Sequence, residues 1–250
     1  MEKINYELLA RDHVKQLGLI VLQSDVTIED EFRYYYAGQE VSLFVNRIPF
    51  ENEVTAETLK QMEAHLGKTM SLFPFETEFD SVGYGCTSGS LHIGGDKIAR
   101  LISAERPTKS VSNPLKSALA AFDAVGASNI AYLGPYSEQV CGEMIEHFVE
   151  EGINVSASAS YNESEDRFVG RISPESIQRD AIKLVNDNPQ VEAVFVSCTN
   201  MKCAQVIPEI EKQTGKVAIS SNLALAWHMA RSIGLNLGAE KGKICQRKRT

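Results

Sequence analysis

The sequence predicts an α/β protein made of two pseudo-symmetric, doubly wound parallel-sheet lobes. Three observations carry that prediction. Apolar runs of strand length alternate with helical patterns, the second half repeats the first at an offset of about 111 residues, and both halves place a cysteine after an equivalent strand, Cys86 and Cys198. Such an offset is too long for a solenoid repeat and suits a duplicated α/β domain.

Leu17 to Leu22 is a continuous apolar run, the pattern of a parallel strand buried on both faces. Ile28 to Tyr36 follows as a helix with acidic residues in its first turn. Val41 to Val45 reads as a strand, and Thr55 starts a helix to about Met70 with Leu59, Met62 and Leu66 on its inner stripe. Phe79 to Tyr84 is the third strand, leading through the Cys86 turn to a helix from about Gly94 to Ile102. Val111 marks a short fourth strand, and Pro114 fits the first turn of the next helix.

The second half repeats this order. Asn129 to Leu133 is a strand, a helix runs to about Glu150, and Ile153 to Ala159 is the next strand. Ser173-Pro174-Glu175 opens a helix to about Val185 with an N-cap residue, a proline and an early acid. Val191 to Val196 then leads to Cys198. A helix over Met201 to Gln213, a strand over Val217 to Ile219 and a helix over Asn222 to Ile233 complete the repeat. The expected lobes are residues 1–115, with Cys86, and 116–234, with Cys198, the last helix being able to pack on the first lobe. Residues 235–250 read as a basic, disordered tail.

Composition narrows the function. A net charge of -8 disfavours a nucleic-acid partner, and no apolar run approaches the ~20 residues that cross a membrane. The charged N-terminus has no apolar signal core, and five cysteines without a framework suit reduced thiols, so a cytoplasmic protein is expected. No metal is expected: Cys-x-x-Cys is absent, and His13, His65, His92, His147 and His228 are scattered. Gly83-x-Gly85-x-x-x-Gly89 lacks dinucleotide-binding spacing, and Gly85-x-Thr87-x-Gly89 has threonine where a nucleophile elbow has serine.

Small residues surround each of the two cysteines, and amides converging there would favour thiolate. Ligands in such folds sit beyond the carboxyl ends of the strands, so duplicated lobes would set the two thiols on opposite walls of one cleft. Two thiols can pass a proton across a carbon, or one thiolate can add to an activated alkene while the other handles the neighbouring proton. Both routes place charge on a carboxylate, which Thr87, Ser88, Thr199 and Asn200 are placed to stabilise. Cys141, Cys203 and Cys245 read as structural. His92 reads as a surface histidine at the head of a helix.

Tyr84-Gly85-Cys86-Thr87-Ser88-Gly89-Ser90, Ser197-Cys198-Thr199-Asn200 and Ser220-Ser221-Asn222-Leu223-Ala224-Leu225-Ala226-Trp227-His228 together resemble the aspartate/glutamate racemase superfamily, nearest its maleate cis–trans isomerase and arylmalonate decarboxylase branch. The resemblance extends to about Gly234. It implies an isomerase with no cofactor, in which Cys86 adds to a double bond and Cys198 acts as acid and base. The decarboxylases keep only the second cysteine, so Cys86 points away from decarboxylation.

By the same resemblance Tyr136 binds a substrate carboxylate, and Asn162 or Asp166 supplies a further polar ligand. Maleate isomerases carry asparagine where this chain has Asp25, whose charge would repel a dicarboxylate and attract an ammonium group. The loop Ser24 to Glu31 is similar to that of ectoine-utilisation proteins, which implies an ectoine-derived amino acid and an amino-acid racemase as an alternative. The expected partner is a small carboxylate or amino-acid substrate, with no nucleic acid and no membrane, in a homo-oligomer. A non-catalytic ligand-binding protein and a cysteine hydrolase acting through Cys86 alone are the readings from other classes.

Overall fold

A computed structural model describes residues 1, 3–8, 14–51, 53–75 and 77–246 of the chain. His13 and the basic residues Arg247 to Arg249 lie outside the described residues. Two four-stranded, all-parallel sheets organise the molecule. The first contains β1 (Lys15–Leu22), β2 (Val41–Ile48), β3 (Ser81–Gly85) and β4 (Val111–Ser112), in the order β2-β1-β3-β4. The second contains β5 (Asn129–Gly134), β6 (Asn154–Ser160), β7 (Ala193–Val196) and β8 (Val217–Ser220), in the order β6-β5-β7-β8. The two orders are the same, so the repeat in the sequence is a repeat of topology.

The inner strands are apolar because both of their faces are covered. Every residue of β3 and β7 is buried, whereas the edge strand β6 alternates between half-buried and exposed positions. The helices are α1 (Ile28–Tyr35), α2 (Ala56–Gln61), α3 (Leu66–Ser71), α4 (Thr87–Ile93), α5 (Gly95–Glu105), α6 (Pro114–Val125), α7 (Glu138–Glu150), α8 (Asp166–Val169), α9 (Pro174–Asp187), α10 (Ile207–Thr214) and α11 (Ser221–Ser232).

The chain crosses between sheets twice. Phe122 of α6 packs edge-on against Phe195 of β7 and Phe148 of α7, at centroid separations of 5.8 and 5.7 Å. In the other direction α11 lies on the first sheet, where a Cβ built on Gly83 would stand 2.6 Å from Met229 Sδ. Its Ala226 carbonyl accepts a hydrogen bond from Tyr36 Oη at 2.8 Å. These crossings pack each half's last helix against the other half.

Three expectations are corrected. The helix after Cys86 starts at once, at Thr87, and is split from α5 by Gly94 at φ +90°. The helix expected from Met201 begins only at Ile207, because the amides of Cys203 and Ala204 are turned onto the Glu31 carboxylate at 2.5 and 2.7 Å. Finally, residues 235–246 are not a disordered tail. Leu237, Ile244 and Cys245 are buried, and Lys243 donates from Nζ to the Gly215 carbonyl at 2.7 Å, just past the end of α10. Among the described residues no helix is long and apolar enough to cross a membrane.

Candidate active site

Cys86 leaves β3 in an extended conformation and is itself the N-cap of α4, its Sγ accepting the Gly89 amide at 3.2 Å. Gly89 leaves no free space for a side chain: a Cβ there would meet Tyr84 Oη at 2.6 Å, Met62 Cε at 2.7 Å and the Cys86 sulfur at 2.9 Å. The Ser88 hydroxyl stands 3.9 Å from the same sulfur.

Cys198 follows β7 by two residues and adopts φ +102°, a region that non-glycine residues occupy only under constraint. The constraint is visible. Its N–H donates to Ser221 Oγ at 3.0 Å, and its sulfur accepts the Asn200 amide at 3.4 Å. Thr87 Oγ1 donates to the same Ser221 oxygen at 2.8 Å, and Thr199 Oγ1 donates to the Gly85 carbonyl at 3.3 Å. Residues flanking one thiol are therefore bonded to residues flanking the other. Both thiols are almost wholly buried, as is Tyr136, whose phenol is raised well above its ordinary range, first by burial and then by the charge of Cys198, with Cys86 adding to it.

Two carboxyl groups complete the cluster. Asp25 is 1% exposed and folds back on its own loop, Oδ1 accepting the amides of Thr27 at 2.8 Å and Ile28 at 2.9 Å. Its Oδ2 is buried without a hydrogen-bond partner. The neighbouring Ser24 hydroxyl donates to Asp166 Oδ2 at 2.5 Å, and Asn200 Nδ2 donates to the same oxygen at 3.1 Å. Asn200 also accepts the Val26 amide on Oδ1 at 3.0 Å, so its side chain ties the Asp25 and Asp166 loops together while its backbone amide holds the Cys198 sulfur. A backbone bond from Val54 to the Ser164 carbonyl, 2.9 Å, joins the lobes over the same loop.

The expected lowering of the thiol pKa is not met. Burial pushes Cys86 up to about 12, outweighing the Gly89 and Ser88 contacts, with the charges of Asp166 and Asp25 adding to the rise. Burial likewise drives Cys198 well above the ordinary thiol range, against the Tyr136 and Asn200 contacts. Asp25 is raised to about 6, mainly by burial and against its two amide bonds, and burial also raises Asp166.

Asn162 departs from the cluster. It sits exposed at φ 53° with its amide on Ser160 Oγ, whereas Asp166, on the same loop, is buried among the other groups. His92 is not at a helix head; it lies in the last turn of α4, half-buried, with Nε2 3.3 Å from Glu143 Oε2. Among the described residues no group of three or more His, Cys, Asp and Glu side chains could hold a metal ion.

Sequence reasoning missed three contributors. Glu31 reaches from α1 to the Cys203 and Ala204 amides and to Asn222 Nδ2, and the same Nδ2 donates to the Thr199 carbonyl at 2.7 Å. Its signal was present, because a glutamate on the Ile28-Phe32-Tyr35 stripe of α1 must be buried. Ser221 bridges the thiol segments. Arg47 clamps the Asp25 loop through the carbonyls of Leu22 and Asp25 at 3.0 and 2.8 Å and also pairs with Glu29.

Two α/β lobes of one topology, closing on a cysteine from each, define a paired-cysteine protein of the Asp/Glu racemase-like fold. The model of the arylmalonate decarboxylase family matches residues 90–245, and the chain belongs to that family. Cys198 falls within the matched segment and Cys86 just ahead of it. The chain is 25% identical over 236 residues to the maleate isomerase of Geobacillus stearothermophilus, covering 88% of this chain and 92% of that one. Its fold matches the Pseudomonas putida S16 maleate isomerase structure with maleate at a TM-score of 0.84, 20% identity and 94% and 98% coverage. It matches equally, at 0.84, 20% identity and 94% and 99% coverage, a cysteine-to-serine mutant of the Nocardia farcinica maleate cis–trans isomerase with a covalently bound succinylcysteine intermediate.

Proposed function

We propose that the chain is a cofactor-independent isomerase that works on a small carboxylic or amino acid through Cys86 and Cys198 acting together. The observation that carries this reading is the coupling of the two thiols: each sulfur accepts one backbone amide, and Thr87, Ser221 and Thr199 lock their segments together. A structural cysteine needs neither an amide aimed at its sulfur nor a strained backbone.

In the cis–trans route the cycle starts with Cys86 as thiolate and Cys198 as thiol. Cys86 Sγ bonds to one alkene carbon, the π electrons pass to the carbon beside the carboxylate, and Cys198 protonates that carbon. Rotation about the new single bond follows. Cys198 then takes the proton back, the C–S bond breaks, and the trans acid leaves with Cys86 again a thiolate. In the racemase alternative one thiolate removes an α-proton while the opposite thiol delivers one. The near-equivalence of the two thiols favours keeping that second reading, with an ectoine-derived amino acid as its finer form. Tyr136 and the Thr87, Ser88, Thr199 and Asn200 groups are assigned to the substrate carboxylate and the developing enediolate.

Replacing either Cys86 or Cys198 by alanine is expected to reduce turnover at least 1000-fold while leaving the thermal unfolding transition cooperative. Retention of most activity without Cys198 would favour a single-cysteine hydrolase, and intact binding with no turnover in wild type would favour a binding protein.

A further inference from the structure

A second cleft, of about 770 Å³, opens where α4, α5, α6 and α7 meet, and neither thiol lines it. It takes the last turn of α4, the end opposite Cys86. Helix α5 starts in its wall with Gly94 as N-cap, a residue with no side chain to cap the first amides. The start of α6 adds a donor. Asn113, 3% exposed, accepts the Lys116 amide on Oδ1 at 3.0 Å, while its Nδ2 has no hydrogen-bond partner among the described residues. A Cβ built on Gly95 would stand 2.8 Å from that nitrogen, so the unpartnered amide group faces the first turn of α5 across the space a side chain would fill. Arg100 and Lys116 line the same cleft, exposed, and their side chains form no ion pair or hydrogen bond among the described residues. Lys97 is instead tied to Glu63 at 2.6 Å. The two acids of the lining, Asp96 and Glu151, are exposed, where solvent and salt screen their charge.

We infer that this cleft binds a small phosphate monoester, its phosphate held by the first amides of α5, Asn113 Nδ2, Arg100 and Lys116. Uncapped amides at a helix start favour an anion, and a buried donor without a partner gains most from a charged acceptor. Four donor groups from two helices exceed what the two oxygens of a carboxylate can serve, whereas a phosphate ester offers three terminal oxygens. Arg100 can meet two of them side by side, and Lys116 adds a point charge. The body of the ligand follows from the rest of the lining. Leu91, Leu115 and Leu119 border the cleft, and a bare ion would leave them uncovered. The volume lies in the range of roughly 300–1,000 Å³ usual for small-molecule sites. With a net charge of -8 the chain repels anions in general, so binding here depends on this local set of donors. The site is independent of the two-thiol chemistry.

The test is calorimetric titration of the full chain, in a phosphate-free buffer, with phenyl phosphate, inorganic phosphate and benzoate. Phenyl phosphate is expected to bind at a single site, about tenfold more tightly than either of the others. Asn113→Asp keeps the Oδ1 cap on α6 and turns the free donor into an acceptor, and it is expected to weaken phenyl phosphate by about tenfold or more. Arg100→Ala, at an exposed position, is expected to weaken it by about tenfold, and it decides the matter should Asn113→Asp unfold. Cys86→Ala is expected to bind as wild type does. No binding of phenyl phosphate, benzoate binding as tightly as phenyl phosphate, or unchanged affinity in both cleft variants would overturn the assignment. Loss of binding in Cys86→Ala would place the anion at the thiols and overturn it equally.

Discussion

Asp25 puts a carboxyl group where the resemblance to maleate isomerases implies an asparagine. The consequence follows from chemistry: an amide at that position can donate to a carboxylate, and a carboxylate cannot unless protonated. Asp25→Asn keeps the acceptor that binds the Thr27 and Ile28 amides and replaces the orphaned oxygen by a donor. The variant is expected to accept maleate at least tenfold better in kcat/KM, measured by fumarate formation; an unchanged or lower value would contradict the charge argument. The sequence made this residue visible because acid and amide are distinguishable by letter. It hid the raised thiol pKa values, which depend on how completely the lobes close over Cys86 and Cys198. Nor could it choose between Asn162 and Asp166, four positions apart on one loop, since only the short turn of α8 decides which one faces inward.

At the scale of the element, α4 and α1 set the site. The first turn of α4 is built around the Cys86 sulfur as a cap, a role that serine, threonine, aspartate and asparagine usually fill, which is why its start was read too late. Gly89→Ala would force a methyl group against that sulfur, Tyr84 Oη and Met62 Cε. Overpacking of this kind lowers stability by about 1–3 kcal/mol, and here it is expected to reduce kcat by more than tenfold as the thiol shifts. Wild-type kcat in a stably folded Gly89→Ala protein would show that the tight turn does not position Cys86.

Helix α1 acts through Glu31, which burial raises to about 7 against its bonds to Ala204, Asn222 and Cys203, with Asp25 adding a further rise. The folded state therefore binds more protons at Glu31 than the unfolded state between pH 4.5 and about 7, so its contribution to stability falls as pH rises through that window. His228, lowered to about 4, and His92, also lowered, both mainly by burial, have the opposite sign below pH 6.5, so the informative quantity is a difference between proteins. Relative to wild type, Glu31→Gln is expected to become more stable on going from pH 5 to pH 8, by an amount on the order of 1–3 kcal/mol. Parallel stability curves for the two proteins across that range would contradict the buried-carboxyl account.

For the whole molecule, the duplication was the most legible feature. Strand alternation, the repeat of about 111 residues and the matched cysteines correspond to two sheets of identical order with a thiol beyond the same strand of each. What stayed hidden were the contacts that cross between the halves. The edge-on Phe122 and Phe195 contact, the Ser221 bridge and the Glu31 clamp join residues 73 to 191 positions apart or bond backbone groups that carry no residue-type signature. The closing segment shows the same limit: its lysines suggested a solvated tail, while three apolar residues, Leu237, Ile244 and Cys245, fasten it to the core.

Proton NMR in deuterated water decides whether the two thiols share one reaction. Wild-type protein is offered maleate, aspartate, glutamate and 2,4-diaminobutyrate separately, with Cys86→Ala and Cys198→Ala as controls. The account predicts either conversion of a cis acid to its trans isomer or exchange of an amino acid's α-proton with loss of optical rotation, and neither process in either variant. Turnover that survives loss of one cysteine, or wild-type protein that binds a substrate from this set without exchanging a proton or moving a double bond, would contradict it.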